Sequence, residues 1–270
     1  MTLNVLCYNL RTPKDRDGPN HWQYRADAAA QLFSVEDIDI AGLQEASVGQ
    51  VSDLRSRLPG YCLVGTGGGN EDGLECPVIY KKDRFRMRDS GVFWLSETPE
   101  VPASRSWDTR YPRTAAWVIL EEQAGGGSVC FVNTHLDHRG PEAREKGAAV
   151  LLKEMARLRR GLDTVLTGDF NTTPETRAIQ DIVSPTDPNQ LVYAKETARR
   201  ASGPDYTFSS YGALAMDKRI TIDFIFVSRT VDVLSYDVLP DTLGGVYLSD
   251  HNPIKALVRL SGKGGQDENA

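Results

Sequence analysis

Apolar and polar residues alternate along much of this chain with the two-residue period of a strand, interrupted by a few stretches of helical period. Leu3, Val5 and Cys7 alternate with Asn4, Leu6 and Tyr8, which predicts a strand of mixed burial. The apolar run 38–43 predicts a buried strand. Further strands are expected around 61–64, 77–80, 85–95, 114–120, 128–134, 163–167, 220–228 and 231–239. A closing strand follows, in which Ile254, Ala256, Val258 and Leu260 alternate. Helices are expected at 22–37, 48–58, 141–160 and 174–182. Pro141 opens the third, Glu142 lies in its first turn, and Arg159, Arg160 and Gly161 close it. Pro13, Gly18 and Pro19 make 11–20 a loop. No repeat or linker breaks the pattern, so one domain over 1–260 with a frayed tail at 261–270 is expected. Many strands among few helices predict an α+β layered sandwich.

Composition narrows the field modestly. A chain of 270 residues with 40% hydrophobic content has ample material for a core. The net charge of −6 argues against non-specific duplex binding, which relies on Lys and Arg, although local patches can oppose the net charge. Cys7, Cys62, Cys76 and Cys130 lack metal-site spacing and read as buried, reduced thiols. With no basic leader and no apolar run of about 18 residues, a cytoplasmic protein that does not enter a membrane is expected.

Polar residues stand at strand ends in five places. In extended chain Asn133, His135 and Asp137 share a face, which suits either a site or a solvated turn. Asp169 and Asn171 project together after Gly168, which permits close backbone approach; capping of the helix near Pro174 is the alternative. Asp223 interrupts the apolar strand IDFIFV, where a carboxylate is costly unless paired, and a histidine is the cheapest partner. Ser249-Asp250-His251-Asn252 precedes the closing strand, and Gln44-Glu45 follows the buried one.

Taken in order, Tyr8-Asn9, Gln44-Glu45, NTHLDH (133–138), GDFN (168–171), IDFIFVS (222–228) and SDH (249–251) resemble the motif series of the endonuclease/exonuclease/phosphatase superfamily, the DNase I-like fold. The segments WLSETPEVP and WDTRYPRTAAW further resemble a widespread, mostly uncharacterised bacterial branch of it. The resemblance implies a four-layer α/β/β/α sandwich and a magnesium-dependent attack of water on a phosphate ester, with manganese as a possible substitute. It makes Glu45 the principal metal ligand, with Asn9 and Asp250 as direct or water-mediated ligands. Asp169 orients or deprotonates the water, and Asn171 and Asn133 donate to phosphate oxygens. His251 donates to phosphate while its other nitrogen bonds Asp223, and His135 pairs with Glu75. Arg113 stands where related enzymes keep a phosphate-binding arginine, a surface arginine being the alternative. His21 and His138 are bystanders or rim residues. Arg11 stands where apurinic endonucleases carry a metal-binding Asp, which speaks against apurinic-site repair.

The leading expectation is a phosphohydrolase acting on a small or medium phosphorylated substrate, as a monoesterase or diesterase. A DNA or RNA nuclease, including a 3′ exonuclease of the deadenylase type, shares the same motifs. A lipid head-group diesterase is weakened by the lack of a membrane-binding segment, and a non-catalytic binding protein by the retention of every motif. Substrate choice is expected in loops 11–22, 66–74, 96–112 and 201–218. There Trp22, Trp94, Trp107, Tyr206 and Phe208 either stack on a ligand or belong to the core, the latter expected for Trp94 and Phe208.

Overall fold

A computed structural model describes residues 1–65, 74–184 and 190–261, without the side chains of residues 74 and 75. In chain order the elements are β1 (Thr2–Asn9), α1 (Trp22–Val35), β2 (Ile40–Gln44), β3 (Ala46–Ser47), α2 (Val48–Arg57), β4 (Tyr61–Val64), β5 (Leu74–Glu75), β6 (Val78–Lys81), β7 (Phe85–Trp94), β8 (Thr114–Glu122) and β9 (Ser128–His135). There follow α3 (Pro141–Leu158), β10 (Asp163–Asp169), α4 (Arg177–Ile182), β11 (Leu191–Tyr193), α5 (Ala194–Thr197), β12 (Ala201–Ser202), β13 (Asp223–Ser228), β14 (Asp232–Val238), β15 (Thr242–Leu243), β16 (Val246–Tyr247) and β17 (Ile254–Arg259). The long predicted strands and helices are all present, with ends moved by a few residues. The loop expected at 11–20 contains a 3₁₀ turn, Asp15–Asn20.

The strands form two mixed sheets. One runs β12-β14-β17-β1-β2-β6-β4 and the other β11-β13-β10-β9-β8-β7. β1 explains why the layers stack as they do. Leu3, Val5 and Cys7 enter the core shared with the second sheet, whereas Leu6 and Tyr8 pack with residues of α1 and α2, such as Phe33 and Leu54. A central strand buried on both faces therefore carries apolar residues at odd and even positions alike. Ala148, Leu151 and Met155 of α3 and Ile179 of α4 join the core of the second sheet. The result is the expected DNase I-like α+β sandwich, two mixed sheets flanked by helices.

The helix ends follow local rules. Ser47 caps α2 in a reciprocal capping box with Gln50, and proline opens α3. The four cysteines are free, three of them buried and Cys62 half-buried. No helix among the described residues is long and apolar enough to cross a membrane. Of the expected frayed tail, Ser261 is instead tied through its backbone N–H and hydroxyl to Asp163 Oδ2; residues 262–270 lie outside the described residues.

Candidate active site

The parallel pairs β1–β2 and β9–β10 bring their C-terminal ends to the same edge of the sandwich. Asn9 and Glu45 arrive from the first sheet, and His135 and Asp169 from the second. Asp223 lies directly opposite Asp169 at the start of the antiparallel β13. Asp250 and His251 come from the segment before β17. Three of the turns leaving these strands pass through left-handed backbone, with φ of 56° at Arg11, 56° at Glu45 and 50° at Asn171. None is glycine, so each costs on the order of 1 kcal/mol that the surrounding contacts must offset.

Asp169 is the centre of the cluster. Its Oδ1 accepts from the Asn171 backbone N–H at 2.9 Å, and its Oδ2 accepts from Asn9 Nδ2 at 2.9 Å. The same Oδ2 lies 3.4 Å from His135 Nε2 and 3.9 Å from His251 Nε2. Burial, and then the neighbouring charge of Asp223, push the Asp169 carboxyl up to about 7, despite the opposing pull of His251.

His251 Nδ1 lies 2.8 Å from Asp223 Oδ2, the pairing expected from a carboxylate within an apolar strand. Burial works against a charged imidazole, but Asp223, Asp169 and Asp250 together hold His251 up at about 10. The ring also packs against Phe208, with centroids 4.9 Å apart. Phe208 thus borders the site instead of belonging to the core. His135 behaves oppositely: burial, reinforced by Arg113, His251 and His138, pushes it well below 6.5, so it is neutral.

Two predicted phosphate donors are already engaged. Asn133 Nδ2 donates to the carbonyls of Leu43, Cys76 and Pro77, while its Oδ1 accepts from Gln44 Nε2 and Thr167 Oγ1. It is fully buried and joins the two sheets beneath the site. Gly42 makes that seam possible, because a Cβ there would stand 2.1 Å from Thr167 Oγ1. Asn171 Nδ2 lies 3.0 Å from the Leu136 carbonyl and 2.8 Å from His135 Nε2. Both its hydrogens therefore serve the protein, and the bond makes Nε2 of neutral His135 an acceptor. Without a ligand, the side-chain N–H groups of both asparagines, the expected phosphate donors, are thus engaged by the protein itself. The predicted partner of His135, the Glu75 side chain, lies outside the described residues, as does the candidate substrate loop through residue 73.

Around this centre lie the charged residues of the rim. Glu45 Oε2 accepts from the Thr12 backbone N–H at 2.9 Å, and its charge is felt by Asp169 and Arg11. Asp250 Oδ1 accepts from Ser249 Oγ, and its Oδ2 lies 3.5 Å from Arg11 Nη1. Arg113 Nε donates to Asp137 Oδ2 at 3.4 Å, and its Nη2 lies 3.0 Å from His138 Nδ1. Asp137 is itself a loop anchor: burial disfavours its charge, but the N–H groups of Gly140, Arg139 and Arg110 and the charge of Arg113 hold its carboxyl far below the usual range. His138 stacks on Tyr111, and His21 caps α1 by accepting from the Gln23 N–H. Of the candidate stacking aromatics, Trp22 is buried with Nε1 bonded to Asp53, and Tyr206 is held by Arg219.

Arg25 carries no signal that sequence reasoning used. It is 1% exposed and donates to the carbonyls of Leu10, Arg11, Asn20 and Leu248, thereby stapling the Asn9 turn to the segment bearing Asp250.

The donor set also fits a divalent cation. The ligand atoms of Asp169, Asp223 and His251 lie within 4.8 Å of one another, and buried Asp223 Oδ1 has no hydrogen-bond partner among the described residues. Two carboxylates and an imidazole gathered this closely could hold a divalent cation.

Comparison with known proteins agrees with this geometry. Residues 1–251 match the model of the Endonuclease/Exonuclease/phosphatase family. The solved endonuclease/exonuclease/phosphatase from Bacteroides vulgatus is 35% identical, with a TM-score of 0.91 over 96% of this chain and 99% of that one. A mannosyl-6-phosphatase of Bacteroides thetaiotaomicron is 34% identical, with a TM-score of 0.86 over 96% and 99% of the two chains. An uncharacterised protein of Acanthamoeba polyphaga mimivirus is 26% identical over 152 residues, 49% of this chain but only 21% of that relative's length. The motif order, the two-sheet sandwich and the carboxylate–histidine cluster have one common reading: the chain belongs to the Endonuclease/Exonuclease/phosphatase family and is an enzyme of the phosphoric ester hydrolase class.

Proposed function

We propose that this protein is a divalent-metal-dependent phosphoesterase that hydrolyses a phosphomonoester or phosphodiester of a small phosphorylated substrate by in-line attack of water. The observation that carries the reading is the Asp169 carboxylate, buried among Asn9, His135 and His251 and raised to about 7. A base with that affinity for protons can accept one from water near neutral pH. Across the same pocket, the cationic His251 presents Nε2 as a donor for a phosphate oxygen, and Asp223 holds the ring in register. Asn171 keeps neutral His135 beside Asp169, and Asn9 fixes the Asp169 rotamer.

Glu45 and Asp250 would hold magnesium or manganese, with Asn9 assisting through water. When bound, the cation polarises the phosphate and neutralises charge on its oxygens. The similarity to a mannosyl-6-phosphatase supports a small phosphorylated metabolite, such as a sugar phosphate, as the substrate.

The test is hydrolysis of p-nitrophenyl phosphate and bis-p-nitrophenyl phosphate with Mg²⁺ or Mn²⁺, beside a panel of sugar phosphates, nucleotides and oligonucleotides. Metal-dependent turnover that falls at least about a hundredfold in Asp169→Asn is expected. Wild-type activity indistinguishable from that variant on every substrate would sink the proposal. Efficient oligonucleotide cleavage with poor metabolite turnover would make it a nuclease.

A further inference from the structure

Asn133 and Asn171 spend their hydrogens on the protein, yet a phosphate needs donors beyond His251. Among the described residues, Arg11 is a further cation at the pocket. Arg11 follows Asn9 in the left-handed turn that leaves β1, with φ of 56°, and its guanidinium reaches Asp250. Its backbone N–H donates to Asn9 Oδ1 at 2.9 Å, and its carbonyl accepts from Gln50 Nε2 and Arg25 Nη2. One edge of the guanidinium is clamped by Asp17, with Nη2 3.1 Å from Oδ1 and Nε 3.4 Å from Oδ2. The other edge is different. Nη1 stands 3.5 Å from Asp250 Oδ2 and forms no hydrogen bond among the described residues. The side chain is only 15% exposed, so this edge is held in place and faces the pocket that Asp250 and Glu45 share.

A guanidinium hydrogen-bonded on one edge by Asp17, and held on the other only by a long ion pair to Asp250, keeps Nη1 hydrogens available to an anion in the pocket. Resting on the phosphoesterase reading above, we propose that Arg11 is a phosphate-binding residue that selects phosphomonoesters over phosphodiesters. A monoester dianion offers a third, terminal non-bridging oxygen carrying extra charge. A diester replaces that oxygen with a second ester linkage and leaves a monoanion. A fixed cation beside the metal-side carboxylates therefore discriminates by charge, whereas Arg113, tied to Asp137 and His138, serves the His135 side. Asp17 acts as the positioning residue for Arg11.

The experiment compares wild type with Arg11→Gln, Arg11→Lys and Asp17→Asn, each checked for fold by circular dichroism. kcat/KM is measured for p-nitrophenyl phosphate and bis-p-nitrophenyl phosphate with Mg²⁺, and inorganic phosphate is titrated calorimetrically into each protein with Mg²⁺ present. Arg11→Gln is expected to lose about a hundredfold on the monoester, less than about tenfold on the diester, and to weaken phosphate binding by at least about tenfold. Arg11→Lys should recover part of the monoester loss, and Asp17→Asn should raise KM for the monoester more than it lowers kcat. Equal losses on both esters, or phosphate binding within twofold of wild type in Arg11→Gln, overturns the assignment of Arg11 alone. A wild type that hydrolyses neither ester nor any metabolite instead overturns the phosphoesterase reading, and the phosphate titration still decides the role of Arg11.

Discussion

Replacing Asp169 by asparagine is expected to make the metal-free protein more stable while removing its activity. The folded state holds this carboxyl at about 7, against 3.8 in ordinary exposure, through burial and the charge of Asp223. At pH 8 the folded protein must ionise a group that the unfolded chain ionises freely, a penalty of up to about 4 kcal/mol. Asparagine carries no charge but cannot accept from both the Asn171 N–H and Asn9 Nδ2, the two donors that Asp169 now satisfies. Losing one of these bonds costs about 1–2 kcal/mol. The net expectation is a gain of about 2 kcal/mol, or roughly 4–8 °C in Tm for a chain of this size. The sign depends on pH. Between 3.8 and about 7 the folded state binds more protons than the unfolded one, so wild-type stability falls with rising pH through that window. The advantage of Asp169→Asn should therefore be full at pH 8 and absent near pH 4. Denaturant unfolding in EDTA at pH 5 and pH 8, beside a p-nitrophenyl phosphate assay with Mg²⁺, measures both effects. A variant less stable than wild type at pH 8, or a difference that ignores pH, would refute the picture of a carboxylate whose ionisation the fold disfavours.

Other outcomes follow from the same contacts. In Asp223→Asn, His251 loses the partner that holds it at about 10, so the alkaline limb of kcat should move toward neutrality and kcat fall roughly 10²–10³-fold, read from a pH–rate profile. The stability that His251 supplies, complete below 6.5 and lost as pH rises through about 10, should shrink in the same variant, as urea unfolding at pH 7 and pH 10 would show. Gly42→Ala puts a methyl 2.1 Å from Thr167 Oγ1 and 2.3 Å from Asn133 Oδ1, and should cost about 3 kcal/mol in denaturant unfolding. Arg25→Gln abandons carbonyls from Leu10 to Leu248; a loss of at least about 3 kcal/mol is expected, together with weaker Mn²⁺ binding by calorimetry, because the Asn9 and Asp250 segments lose their common tie.

The sequence revealed residues whose chemistry conflicted with their surroundings. Asp223 in an apolar strand demanded a partner, and His251 supplies it at 2.8 Å. Alternation predicted the long strands, and proline and glycine their ends. Hidden from that reading was whatever depends on contacts between distant segments. An asparagine at a strand end looks the same whether its amide faces a ligand or three carbonyls, as at Asn133. Arg25 looks like a surface cation on an Ala-rich helix until its guanidinium meets the carbonyl of Leu248, 223 residues away. The three left-handed turns have no glycine to announce them, since Arg11, Glu45 and Asn171 keep side chains that the site uses. Short elements such as β3, β11 and β15 have too few residues for any period to register.

The polar seam under the site has a mechanical consequence. Apolar faces tolerate small sliding movements, because one well-packed arrangement of methyl groups resembles the next. The bonds from Asn133 to Leu43, Cys76, Pro77, Gln44 and Thr167 resist sliding, since hydrogen bonds weaken steeply as they lengthen or bend. They pin the sheets against shear at one point, a few residues below the level where Asn9 from one sheet meets Asp169 from the other. The seam is thus the gauge block of the enzyme. It sets the gap between two halves of a reaction centre that share no strand.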